Sequence, residues 1–161
     1  MENRPSPLSN VVAVVGRHGD FADGECREVD VDGAKCLLVK KGERYYALSS
    51  KCTHYGAPLA KGDFDPHLGI VRCPWHGACF NVATGDIEDY PGLDSLQTYS
   101  VDVSEDGNVL VTIPKNQVAL SKRTKELGHR NPDQKETIAV IGGGASAQVL
   151  TVDGKYLNNT C

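Results

Sequence analysis

No stretch of these 161 residues stays apolar for anything like the about twenty positions that a membrane-crossing helix requires. Insertion into a bilayer by a helix is therefore not expected. Nor is there an excess of charge. The 17 Lys and Arg against 21 Asp and Glu leave a formal net charge of -4, which offers nothing particular to nucleic acid or to an anionic membrane surface. The opening decapeptide, MENRPSPLSN, has neither the apolar centre of a secretory signal nor an Arg-rich amphipathic presequence, so the expected compartment is the cytoplasm. Through residue 113 no segment sustains a helical period over three turns.

What is present is a series of short strands. VVAVV (11–15), CREVDV (26–31), AKCLLVK (34–40), RYYALS (44–49), QTYSVDV (97–103) and NVLVTI (108–113) are apolar or alternating runs. The connecting VDG, KKGE and SEDG are hairpin signals. The expected fold class is all-β and antiparallel over about 10–114, with two functional loops at one end. Composition changes after Pro114. Residues 115–136 are polar and charged and predict a linker, with a short helix around Val118–Leu127. Residues 137–161 begin TIAVIGGGASA, where Gly142, Gly144 and Ala147 match the opening of a dinucleotide-binding βαβ unit. Only fourteen residues follow Ala147. The segment therefore reads as a truncated start of an FAD/NAD(P)-binding domain that does not fold as such.

Six cysteines remain to be explained. In a reducing compartment they point to metal or to plain burial rather than to disulfides. Cys26 and Cys36 sit in strand-like runs and read as small buried hydrophobes. Cys79 reads as a strand residue beside a site, and Cys161 ends the chain. The other two stand in boxes, Cys52-x-His54 and Cys73-x-x-His76. Thiolate and imidazole are metal-ligand types, and tetrahedral zinc is one centre they can build. Zinc knuckles, however, take two cysteines from one turn and two histidines from another. Here each box supplies one of each, which suits a centre with two chemically different metal atoms. His18, His67 and His129 lie outside the boxes and read as non-ligands.

The boxes, with HYGAPLAKG after the first and CPWHGACFNVATG around the second, resemble those of Rieske [2Fe–2S] domains. In that family the cysteines bind one iron and the histidines the other. The resemblance implies Cys52, His54, Cys73 and His76 as ligands of such a cluster, meeting between two loops. In the quinol-oxidising branch a further cysteine in each box forms a disulfide. The matching positions are Ala57 and Trp75, so that bond is absent. The same branch donates hydrogen bonds to the sulfurs from a serine and a tyrosine, where this chain has Ala78 and Phe80. The resemblance thus favours the low-potential, ferredoxin-like branch. Gly56 and Gly77 would allow close approach or positive φ beside the cluster, and Pro58 and Pro74 would stiffen the loops. Trp75 could cover the cluster, face a redox partner or pack in the core.

The order of Rieske domain, charged linker and glycine-rich strand–turn is similar to that of the apoptosis-inducing-factor-like oxidoreductases. That likeness implies an electron-transfer component whose partner is a redox protein or a flavin domain, with FAD only in a full-length relative. It also brings in mitochondrial members as an alternative to the cytoplasm. The alternative function is a structural zinc, or a cluster-stabilised protein-interaction module. No feature fixes an oligomeric state.

Overall fold

The computed structural model describes residues 9–92, 94–120 and 122. Its strands are β1 (Asn10–Arg17), β2 (Cys26–Val31), β3 (Ala34–Lys41), β4 (Arg44–Ser49), β5 (Asp63–Asp65), β6 (Ile70–Arg72), β7 (Cys79–Asn81), β8 (Ile87–Asp89), β9 (Thr98–Val103) and β10 (Asn108–Pro114). Six of them form one sheet in the order β1-β10-β9-β4-β3-β2 and four form a second, β5-β6-β7-β8. Every pairing is antiparallel. The all-β expectation holds, and the helical segments among the described residues are three single 3-10 turns. All six strands read from the sequence are present. The second sheet is an addition: its four strands have three residues each, too short for an alternating pattern to stand out.

The layers follow from β3. Its run CLLV is buried throughout, because strand side chains alternate between faces and both faces here are covered. Cys36 and Leu38 point into one core with Ala47, Val109, Val111 and Ile113. Leu37 and Val39 point the other way, into a core with Leu48, Leu59, Val71, Phe80 and Leu96. The six-stranded sheet thus closes its own core on one side, with β1 and β2, the two ends of the order, approaching each other. Its other side carries the small sheet. Each fully buried Leu or Phe of this second core contributes about 1.5–3 kcal/mol.

Two local choices fix the register. Asp32 adopts φ 52° and Gly33 φ 85°, the paired positive values of the two-residue hairpin that Asp-Gly favours. This sets Val31 opposite Ala34 and sends the odd residues of β2 inward. Past β10 comes the 3-10 turn Lys115–Gln117, then a turn at Val118–Ala119. Val118 packs on the first core, and the buried Gln97 amide donates to Lys122 O (2.7 Å). Leu120 and Lys122 are not helical, while residues 121 and 123–127 of the expected helix around Val118–Leu127 and the glycine-rich segment with Gly142, Gly144 and Ala147 lie outside the described residues. So do His129 and Cys161.

Candidate metal centre

The two boxes form matching loops. In the first, Cys52 N–H donates to Ala57 O (2.9 Å) and Gly56 N–H to Cys52 O (2.9 Å). In the second, Cys73 N–H donates to Ala78 O (2.8 Å) and Gly77 N–H to Cys73 O (3.1 Å). The flanks agree as well, with Lys51 bridged to Pro58 and Arg72 to Cys79. Gly56 and Gly77 hold φ 74° and 79°, so both chain reversals use the left-handed conformation that favours glycine. The shared pattern is Cys-x-x-x-Gly-Ala, a signal legible in the sequence that the spacing of Cys and His alone did not reveal.

Within this repeat the histidines are exchanged with aromatics. The first loop reads His54-Tyr55 where the second reads Trp75-His76. The exchange brings His54 and His76 together, with ring centroids 4.9 Å apart and planes at 76°. Tyr55 lies against both, 4.3 Å from His54 and 5.7 Å from His76. Trp75 stands 6.5 Å from His76 and is 58% exposed, which removes core packing from its three readings.

The cysteines lie on the inner side of the same gap. Cys52 and Cys73 are both buried among Leu37, Leu48, Ala57, Ala78 and Phe80, and their thiols are within hydrogen-bonding reach. Burial pushes the Cys52 thiol up. The backbone N–H of His54, with a smaller contribution from Tyr55, opposes this, while the adjacent Cys73 thiol reinforces it. Two thiolates at this spot need a cation to balance them. The donors form a buried sulfur pair and an outer imidazole pair. Among the described residues no three His, Cys, Asp or Glu side chains gather around one single-ion point.

One atom tests whether a metal group fits. His54 Nδ1 is buried and has no hydrogen-bond partner. Leaving such a nitrogen unsatisfied costs about 1–3 kcal/mol, and a metal bond would satisfy it. The donor set of two sulfurs and two imidazoles therefore fits a two-iron centre. Ala78 and Phe80 are fully buried beside it and present only carbon.

The remaining residues named from the sequence occupy ordinary positions. Cys79 opens β7 and donates to Gly77 O (3.3 Å). Cys36 is buried and Cys26 half-buried. Burial raises the Cys26 thiol to about 11 and the Cys36 thiol to about 12. His18 engages Tyr45 (3.2 Å) and Glu43 (3.3 Å), and His67 is exposed in the turn between β5 and β6. A third loop adjoins the site. Residues 90–92 and 94 pass beside the first box, where a Cβ on Gly92 would stand 3.9 Å from His54 Cβ.

A family model for the Rieske [2Fe-2S] domain matches residues 11–100. Apoptosis-inducing factor 3 of Mus musculus is 42% identical over 153 residues, covering 90% of this chain and 24% of that protein. The chain thus spans about a quarter of the length of this relative. Among solved structures, the ferredoxin of carbazole 1,9a-dioxygenase from Nocardioides aromaticivorans IC177 superposes with a TM-score of 0.61. It is 30% identical, over 63% of this chain and 96% of that one. A second carbazole 1,9a-dioxygenase ferredoxin, seen in complex with its oxygenase, gives 0.59 at 33% identity over 63% and 92%. With its paired sulfurs, paired imidazoles and two antiparallel sheets, the chain belongs to the Rieske [2Fe-2S] domain family and is similar to its ferredoxin members.

Proposed function

We infer that Cys52, His54, Cys73 and His76 hold the [2Fe-2S] cluster, the cysteines on one iron and the histidines on the other, and that the domain serves a flavin- and NAD(P)H-linked oxidoreductase as its one-electron carrier. The orphaned His54 Nδ1 is the observation that carries the assignment. When bound, such a cluster takes up and releases a single electron. The chain's own part is to exclude water and fix the donors. The buried thiols sit under Phe80, Leu37 and Leu48, and the two loops are closed by the same backbone hydrogen bonds. Zinc held by the same set needs donors converging on one ion, and the pairing of sulfurs and imidazoles supports two metal atoms instead.

His76 is exposed, with Tyr55 and Trp75 beside it, and this is the face for a redox partner protein. The link to a flavin domain rests on the likeness to apoptosis-inducing factor 3. No helix among the described residues is long and apolar enough to cross a membrane. We place the protein in a reducing compartment, the cytoplasm or the mitochondrion. Iron and acid-labile sulfide analysis tests the assignment. Two of each per chain are expected, falling to background in Cys52→Ser; one zinc per chain would overturn it.

A further inference from the structure

The two ligand loops differ in stiffness at the position after the cysteine. Where the second has Pro74 after its cysteine, the first has Thr53. Proline fixes its own φ, so the second loop carries its rigidity in its covalent structure. Thr53 has no such restriction. Its hydroxyl instead donates to Asp94 O (2.7 Å), a contact across 41 residues of sequence that ties the first ligand loop to the third loop at Asp94.

That third loop is itself anchored on its far side. Ile87 N–H donates to Ser95 Oγ (3.3 Å), and Leu96 N–H donates to Gly85 O (2.8 Å). Leu96 is fully buried in the core that also contains Cys52 and Cys73. Asp94 is held from outside as well, where Lys122 pairs with its carboxylate. Thr53 therefore grips a backbone carbonyl that is fixed in place. The gripped loop runs beside His54, as the Gly92 distance shows, and His54 is the histidine whose Nδ1 is buried.

We propose that Thr53 is a positioning residue for His54, its bond to Asp94 O holding Gly92 and Asp94 against the first ligand loop as Pro74 stiffens the second. The proposal rests on the ligand assignment above. Thr53→Val keeps the shape and removes the donor. Thr53→Ser keeps the donor. With the cluster loaded, the valine variant should lose iron to an external chelator about tenfold faster than wild type at neutral pH. Its reduced-state EPR spectrum should also broaden as the imidazole loses its fixed orientation. The serine variant should match wild type within twofold and restore the spectrum.

Iron retained equally by all three, with one EPR spectrum, overturns the latch alone. Wild-type protein that holds no iron overturns the ligand assignment and the latch together. If the valine variant does not fold, Thr53→Ala, which leaves the space open, carries the same test. Failure of both to fold, with serine intact, would place the hydroxyl in folding of the whole domain and overturn its role at His54.

Discussion

His54 and His76 meet edge to face at 4.9 Å because the two loops carry their histidines at different distances from their cysteines. The unequal spacing sends an aromatic outward from each loop, Tyr55 at 70% exposure and Trp75 at 58%. Exposed aromatics beside a redox site are efficient partner anchors, since an interface hot spot costs about 2 kcal/mol or more when truncated. Trp75→Ala or Tyr55→Ala should therefore slow reduction by an NAD(P)H-fed flavoprotein about tenfold, and stopped-flow absorbance reads this directly. The reduction potential should stay unchanged in both, which separates docking from electronic tuning.

The potential should be tunable from the buried side of the site. Ala78 and Phe80 are buried with the cysteines and supply no hydroxyl. A hydrogen bond to a charged acceptor contributes roughly 1.5–3 kcal/mol, and one electron across 100 mV corresponds to about 2.3 kcal/mol. Two added donors therefore correspond to on the order of 130–260 mV. Ala78→Ser combined with Phe80→Tyr should raise the potential by more than about 100 mV by the same conversion. Voltammetry of the wild type should find a value near the low end of the Rieske range, about -150 mV. A double variant that does not move would assign the potential to backbone donors and burial.

Gly85 supports the site through the fold. It holds φ 73°, and a Cβ there would stand 2.4 Å from Leu96 O. Gly85→Ala should destabilise by roughly 2–5 kcal/mol, from left-handed strain together with the overlap. Gly107 has φ 77° but open space around it. Gly107→Ala should cost only the strain, about 1–2 kcal/mol. Urea unfolding of the two variants in parallel checks the difference.

Much of this was legible because the fold's large sheet alternates cleanly. In β10, NVLVTIP buries Val109, Val111 and Ile113 and leaves the residues between them less covered. Chemistry was legible for a different reason: Cys52, His54, Cys73 and His76 are rare types set in compact boxes. The second sheet was not readable, since a three-residue strand such as Asp63–Asp65 has no period. The Thr53–Asp94 contact was hidden as well. It joins a common residue to a backbone carbonyl 41 positions away, and carbonyls leave no mark in a sequence. Trp75 stayed ambiguous because an indole suits a core as well as a surface.

The non-ligand thiols give the fold a pH dependence. Burial raises Cys26 to about 11 and Cys36 to about 12 from the ordinary 9.0, with nearby carboxylates adding to both. A thiol raised on folding contributes stability that is fully present below pH 9.0. That stability is lost as the pH climbs toward the folded values. The urea midpoint should therefore fall between pH 9 and about 12, the window set by these shifts. Cys36→Ala should show a shallower decline. A wild-type midpoint that is flat over this window would contradict the burial of these thiols.

If two sulfurs and two imidazoles of this chain share one pair of irons, low-temperature EPR of the dithionite-reduced, anaerobically purified protein shows it. A red-brown protein with two irons and two sulfides per chain is expected. Its average g should lie below that of an all-cysteine two-iron cluster, because histidine ligation makes the reduced iron distinct. Cys52→Ser, His54→Ala, Cys73→Ser and His76→Ala should each abolish that signal while the far-ultraviolet β spectrum is retained. A colourless protein, or a signal with the all-cysteine average g that survives loss of either histidine, would contradict it.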